Sequence, residues 1–366
     1  MKLEGDGVYP KLIIRLNEIR ENAKKLVDLA SRFNVEMVGV TKVVCGEPVV
    51  ASAFIEAGIK KIGDSRLDNI ERMKNAGINA HFQLIRSPML SEVSRAASLI
   101  DSVLVSELSV MAALDRELEK SGRKIEVIYM IDLGELREGC WHEECMEELL
   151  QAARFKHAQL TGIGTNLGCF YGVLPTPDKL KKLVDIANTL KEEGAEISVI
   201  SGGNTATIYL MEEGTLPEGI NQFRVGEALI LGTDVTGQRE ISFLSQNGVE
   251  LQAEIIEVKK KPSRPASPRK HDAFGRDVEV EDLGTRIRAI LALGEQDVMV
   301  AGLKPLEKGV RVLHGSSDHI VVDVTESARE WKPGDVMRFG LSYGALLRAT
   351  TSPYVRKVFE DAGIIR

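Results

Sequence analysis

Eight short apolar runs, each followed by a stretch of different periodicity, constrain this chain more than any other feature. The runs fall at residues 35–42, 60–63, 81–85, 102–105, 125–131, 160–164, 197–200 and 223–225. They are rich in β-branched residues, as strands buried on both faces require. Between them, apolar residues recur at helical spacing over 107–120, 143–155, 178–193 and 207–213. A first amphipathic helix is expected over 17–34, where Leu16, Ile19, Ala23, Leu26, Val27, Ala30 and Phe33 share one face. Such alternation implies parallel strands, and eight units of this length fit a closed (β/α)8 TIM barrel. An open doubly wound sheet is the alternative, but no GxGxxG follows the first strand.

After Leu231 the helical period stops. β-rich runs take over at 251–258, 286–293, 310–313, 319–324 and 336–341, with the turn Lys332-Pro333-Gly334-Asp335 between two of them. The expected division is a barrel over 1–232 and a mostly β C-terminal domain over 233–366. Between two of the later strands, residues 259–284 carry prolines and basic residues without periodicity, which reads as a solvated loop. A plain surface insertion is the expected reading, with a functional lid as the alternative.

Composition narrows the function classes. The chain has 366 residues, enough for two domains, with 43% hydrophobic and 28% charged residues, as in ordinary globular proteins. Its net charge of −7 argues against nucleic-acid or anionic-membrane partners and for a cytoplasmic protein. No apolar run approaches the roughly 20 residues of a membrane span, and the N-terminal residues carry no signal-peptide core. Cys45, Cys140, Cys145 and Cys169 form no CxxC pair and read as reduced thiols. The six histidines show no metal-ligand pattern, so no metal is expected.

In a (β/α)8 barrel the active site lies at the C-terminal ends of the strands. The first strand places Lys42 there. An ammonium at the end of a buried strand is costly unless paired, and desolvation yields the neutral amine that a Schiff-base nucleophile needs. The alternative is a lysine that snorkels off the strand end. The fifth strand leads into Asp132-Leu133-Gly134-Glu135-Leu136-Arg137, and the sixth into Thr165-Asn166. The seventh leads into Ser201-Gly202-Gly203-Asn204-Thr205, and the eighth carries Arg224-Val225-Gly226-Glu227. The last two segments suit an anion, because glycines let backbone N–H groups approach it and a helix start attracts it. An amine and two arginines beside an anion cradle suit a ligand with an aldehyde at one end and a phosphate at the other. Pyridoxal phosphate is such a ligand.

Six segments in this order carry a resemblance. They are Val40-Thr41-Lys42, Asp132 to Gly139, Gly164 to Cys169, Ser201 to Ala206, Arg224 to Ala228 and Ser352-Pro353-Tyr354-Val355. Together they are similar to the alanine racemase-like family of pyridoxal-phosphate enzymes (fold type III), most of all its alanine/ornithine racemase branch. The resemblance implies that Lys42 is the Schiff-base lysine, that Arg137 contacts the cofactor phenolate oxygen and that Arg224 faces the pyridine nitrogen. It implies that Thr205, Gly226 and Tyr354 hold the phosphate, with Ser201, Asn204 and Glu227 in the same two loops. Plainer roles remain open: Arg137 as a surface arginine paired with Glu135 or Glu138, and Tyr354 as a packing residue.

Three departures from the family pattern stand out. Met130 occupies the place of a lysine that is often carbamylated. Asn166 stands where a histidine commonly supports the ring-nitrogen arginine. The tyrosine that acts as second base from the partner subunit has no counterpart, because the matching stretch is Gly294-Glu295-Gln296-Asp297. Glu295, Asp318 and His319 are the candidates for the opposite-face base. The implied function is racemisation of a small or basic amino acid (ornithine, alanine or lysine) by two-base proton transfer at Cα, in a homodimer with shared active sites. A non-catalytic pyridoxal-phosphate carrier and a class I Schiff-base aldolase are the alternatives.

Overall fold

The computed structural model describes residues 8–361 and 364–365. Eight parallel strands form the barrel: β1 (Glu36–Val40), β2 (Lys61–Asp64), β3 (His81–Leu84), β4 (Ser102–Val105), β5 (Ile125–Asp132), β6 (Ala158–Gly164), β7 (Val199–Ser201) and β8 (Gln222–Val225). Each pairs with the next, and β8 pairs with β1 through Gln222–Glu36 and Arg224–Val38, which closes the ring. Each strand falls on one of the eight apolar runs, so the closed barrel expected from their alternation is the observed fold.

Among the described residues nine helices accompany the strands. They are α1 (Leu16–Ser31), α2 (Pro48–Glu56), α3 (Leu67–Asn75), α4 (Val93–Leu99), α5 (Leu108–Ser121), α6 (Met146–Ala152), α7 (Pro177–Glu192), α8 (Ile208–Glu212) and α9 (Glu227–Leu231). Five of them (α1, α5, α6, α7 and α8) lie where the 3.6-residue period placed them. The α7 boundary shows the local logic. Thr176 caps it by accepting from the Lys179 N–H at 3.3 Å, and Pro177 sits at the first helical position, where its missing N–H costs nothing.

Inside the barrel, the N-terminal strand ends are tied by charge. Lys61 lies 3.1 Å from Glu36 and 3.7 Å from Glu126, and His81 contacts Ser102 at 2.8 Å. Above this layer the interior turns apolar, with Leu104, Ile128 and Met130 packed together.

Two compact units result. One is Glu18–Gln246; the other combines the described residues up to Asn17 with those from Asn247 on. The units are therefore interleaved in sequence, unlike the 1–232 and 233–366 division drawn from periodicity alone. The residues after 232 stay with the barrel for a local reason. Asn22 accepts from the Ser245 N–H at 2.7 Å and donates to the Ser245 carbonyl at 2.9 Å, and Gln246 donates to Leu244 at 2.7 Å. Conversely, the strand Lys11–Arg15 pairs antiparallel with β9 (Val249–Pro262) and parallel with Arg356–Asp361.

The second unit is a mostly antiparallel sheet. β9 pairs with β10 (Thr285–Leu291), which pairs with β11 (Ile320–Asp323). A helix, α10 (Tyr343–Thr351), follows, capped by Ser342. The segment 259–284 is only partly the loop its composition suggested. β9 continues through Pro262, opposite Thr285–Arg288 of β10. A ribbon with charged, partly exposed side chains keeps its backbone ladder while presenting lysines and arginines outward, so the charge run hid four strand residues. The remaining stretch is tied down. Arg276 bonds Asp272 at 2.8 Å and Glu295 at 2.9 Å, and Asp272 also contacts His314 at 3.0 Å. Among the described residues no helix is long and apolar enough to cross a membrane.

Candidate active site

Lys42 opens a single 3-10 turn (Lys42–Val44) just beyond β1. What fixes its base is a buried carboxylate at the end of β2. Asp64 accepts from the Thr41 hydroxyl at 2.8 Å, from the Asn69 amide at 2.9 Å and from the Arg66 N–H at 3.0 Å. Burial pushes the Asp64 carboxyl up from its ordinary value, and these hydrogen bonds pull it back. The turn closes through Gly46 at φ +62°, where a Cβ would lie 2.5 Å from Asn69 Cβ, so both the backbone angle and the space demand glycine. None of Thr41, Asp64 and Asn69 was among the sequence candidates.

Lys42 is half-buried, and its pKa is lowered, first of all by desolvation. Asp64, Glu138 and the sulfur of Cys169 push it back up, and Arg137 pushes it down. Lys42 lines a cavity of about 320 Å³ together with Arg86, Ser87, Ser106, Met130 and Glu138.

Arg224, on β8, is fully enclosed. It donates to the Thr165 carbonyl at 2.6 Å, to the Asn166 side-chain oxygen at 2.8 Å and to the Ser201 hydroxyl. Burial pushes this guanidinium down to about 10. Ser201 in turn donates to Gln222 at 3.0 Å. Asn166 thus takes the supporting position beside the arginine, with an amide where an imidazole was the family expectation. Arg137 pairs with Glu138, and this hydrogen-bonded pairing holds its guanidinium well above the usual value.

Glu135 does something else. Both its oxygens are consumed by the backbone of the segment after β6. Oε1 accepts from the N–H groups of Cys169 at 2.8 Å, Tyr171 at 2.9 Å, Gly172 at 3.3 Å and Phe170; Oε2 accepts from Gly168 at 3.1 Å and Val173 at 3.0 Å. Burial alone would raise this carboxyl, but the N–H donors outweigh it and hold the pKa low. The signal that could have found it is the chain of polar backbone from 168 to 173, which needed an acceptor.

The segments after β7 and β8 are ordered by local hydrogen bonds. Gly203 has φ +128°, a conformation that side-chain-bearing residues rarely adopt. Among the described residues, no protein acceptor takes the backbone N–H groups of Gly203 and Asn204. The Asn204 side chain is engaged in scaffolding: it accepts from Ala206 N–H at 2.9 Å and donates to Leu167 at 2.8 Å and to Cys169 Sγ at 3.0 Å. Thr205 Oγ1 accepts from Ala228 N–H at 3.3 Å, which links this loop to the Gly226 segment. The Glu227 carboxylate turns to Thr233 and Val235, its Oε1 accepting from the Thr233 hydroxyl at 2.7 Å and the Val235 N–H at 2.9 Å. Burial pushes it up to about 7.

Glu295, Asp318, His319 and Tyr354 belong to the other unit. There the backbone joins the first three: Glu295 N–H donates to the Ser316 carbonyl at 2.8 Å, and Gln296 N–H to Ser317 at 3.0 Å. Each Glu295 oxygen is held by an arginine, Arg276 at 2.9 Å and Arg348 at 3.1 Å. His319 Nδ1 lies 2.8 Å from the Asp318 carboxylate, and that bond holds the Asp318 carboxyl below the ordinary range. Tyr354 is exposed, and its N–H donates to Ser352 at 3.2 Å.

A closed barrel with a strand-end lysine, a buried arginine on the last strand and glycine-containing loops after the seventh and eighth strands defines a class of lysine-centred (β/α)8 proteins. The sequence profile described as "Alanine racemase, N-terminal domain" matches residues 14–234, and this chain belongs to that family. It is 50% identical to "Lysine racemase" of Thermotoga maritima, over 97% of this chain and 99% of the relative. It is 36% identical to "Ornithine racemase" of Acetoanaerobium sticklandii, over 96% and 99%. Among solved structures, alanine racemase of Clostridium difficile 630 superposes with a TM-score of 0.75 at 18% identity, over 99% of this chain and 98% of that one.

Proposed function

We propose that this chain is a pyridoxal-phosphate-dependent amino-acid racemase acting on a basic amino acid, lysine or ornithine. The observation that carries the reading is Lys42: an amine with a lowered pKa, braced by the Thr41–Asp64 bond, in the same mouth as Arg137 and Arg224. The residues fit the cofactor. The Gly203 and Asn204 N–H groups, without a protein acceptor among the described residues, suit a phosphate, and a guanidinium, still far less acidic than a pyridinium, suits an unprotonated ring nitrogen.

When bound, pyridoxal phosphate supplies the electron-withdrawing system that makes a Cα proton removable. The chain supplies the rest. Lys42 Nζ would remove the Cα proton from one enantiomer on one face, or deliver one there in the reverse direction, while the opposite-face group does the converse. Arg137 and Arg224 orient the ring, Ser201 and Asn166 holding the second of them. Thr205 and Gly226 would complete the phosphate end. On the opposite face we place a group from the β unit of a second copy, in a homodimer. Glu295 is committed to two arginines, so the Asp318–His319 pair is the more available. The names of the two relatives support a basic substrate, and serine hydroxyls in the cavity beside Lys42 suit an extended polar side chain. Net charge and free thiols support a cytoplasmic setting.

The test is a panel of L-amino acids, assayed by chiral separation and by deuterium uptake at Cα. D-lysine or D-ornithine should appear from its enantiomer, with deuterium incorporated. Cofactor-loaded protein that exchanges no Cα proton with any amino acid would overturn the reading in favour of a carrier.

A further inference from the structure

One carboxylate stands between the two arginines of the site. Glu138, in the loop after β5, accepts from Arg137 through both oxygens, and its Oε1 also accepts from the Asn166 amide. The Asn166 oxygen accepts from Arg224 at 2.8 Å. Arg224 donates to Ser201, and Ser201 to Gln222 at 3.0 Å. The result is one chain, Arg137–Glu138–Asn166–Arg224–Ser201–Gln222, crossing from β5 to β8 inside the barrel unit.

The polarity of that chain is dictated by its ends. A guanidinium only donates, so Arg224 forces the Asn166 oxygen toward itself and the Asn166 NH2 toward Glu138. A carboxylate only accepts, so it suits the one place where both neighbours donate. Glu138 also counters the crowding of three cations. It raises both Lys42 and Arg224, whereas Arg137 lowers both. Both of its oxygens are engaged, so it has little left to anchor a substrate ammonium or to act as a base.

We propose that Glu138 is a positioning residue: through Asn166 it couples Arg137 to Arg224, so that the two guanidiniums are set as one unit. This rests on the racemase reading for its consequence in turnover, but not for its geometry. A carboxylate merely neutralising a surface arginine would contact Arg137 alone. The bond to Asn166, and through it to an enclosed arginine, is what distinguishes the two.

The experiment is a double-mutant cycle with Glu138→Gln and Asn166→Ala, with melting curves confirming that each variant folds. Two readouts are used: affinity of the cofactor-free protein for pyridoxal 5′-phosphate, and the pH dependence of Lys42 acylation in that same protein. Each single variant should weaken cofactor binding by about tenfold, and the double variant by no more than either, because both break the same chain. The Lys42 midpoint should move to lower pH in Glu138→Gln, which loses the charge, and stay in place in Asn166→Ala, which keeps it. Glu138→Asp retains the charge and should restore the midpoint, and it serves as the second variant if Glu138→Gln does not fold. Additive effects in the cycle, or an unchanged Lys42 midpoint in Glu138→Gln, would overturn the proposal. If the wild type racemises nothing but the midpoint moves as stated, the functional reading fails and the coupling stands.

Discussion

Arg224 Nη2 lies 2.8 Å from the side-chain oxygen of Asn166, and the other partners of this guanidinium, the Thr165 carbonyl and the Ser201 hydroxyl, are also neutral. A buried cation held only by dipoles keeps its field for whatever lies in front of it. Such an arrangement is expensive to build and is retained where a ligand uses it. Arg224→Lys keeps a charge but cannot reproduce the planar fork that reaches Ser201, Thr165 and Asn166 from two nitrogens. Racemase turnover should fall by about 10²-fold, the usual scale for a displaced electrostatic group. Steady-state kinetics on cofactor-loaded protein checks this, and turnover within twofold of wild type would reduce Arg224 to a packing role.

Glu135→Ala removes the acceptor of six backbone N–H groups at once. Water will satisfy some of them, so the expected cost is about 2–4 kcal/mol, in the range of a lost network of charge-assisted bonds. The same loop exposes Phe170 and Tyr171. Chymotrypsin should therefore nick the variant there much faster than wild type, before global unfolding. Equal nicking rates would show that the segment is held by something else.

Glu227 gives a pH signature. Its folded pKa of about 7 lies above the unfolded value of 4.5, so the folded state binds the extra proton between those pH values. The stabilisation it brings is complete below pH 4.5 and is lost as pH rises through 7. Glu227→Gln should flatten this dependence, by about 2–3 kcal/mol between pH 5 and pH 8 relative to wild type. Urea unfolding at the two pH values measures it, and parallel stability profiles would contradict the assignment.

The barrel was legible because each of its strands is a local run of apolar, β-branched residues, and so were Lys42 and Arg224, which terminate or occupy such runs. The strand Lys11–Arg15 was not. Its partners are at 249–252 and 356–360, and no local pattern encodes pairing across more than 200 residues. Polar side chains that serve the backbone were also hidden. Asp64 and Glu135 are ordinary acidic residues in sequence, and only the folded chain brings Thr41 to one and the 168–173 amides to the other. Glu227 and Asn204 lie in the two loops expected to hold an anion, and only the folded chain shows their side chains bonding Thr233 and the Ala206 N–H.

The central claim is that Lys42 is the amine on which the site is built. Pyridoxal 5′-phosphate added to the protein, followed by borohydride reduction and peptide mass spectrometry, tests it most directly. A phosphopyridoxyl group is predicted on Lys42, with Lys42→Arg taking up none. Stoichiometric label on another lysine, or on none while the protein remains an active racemase, would contradict it.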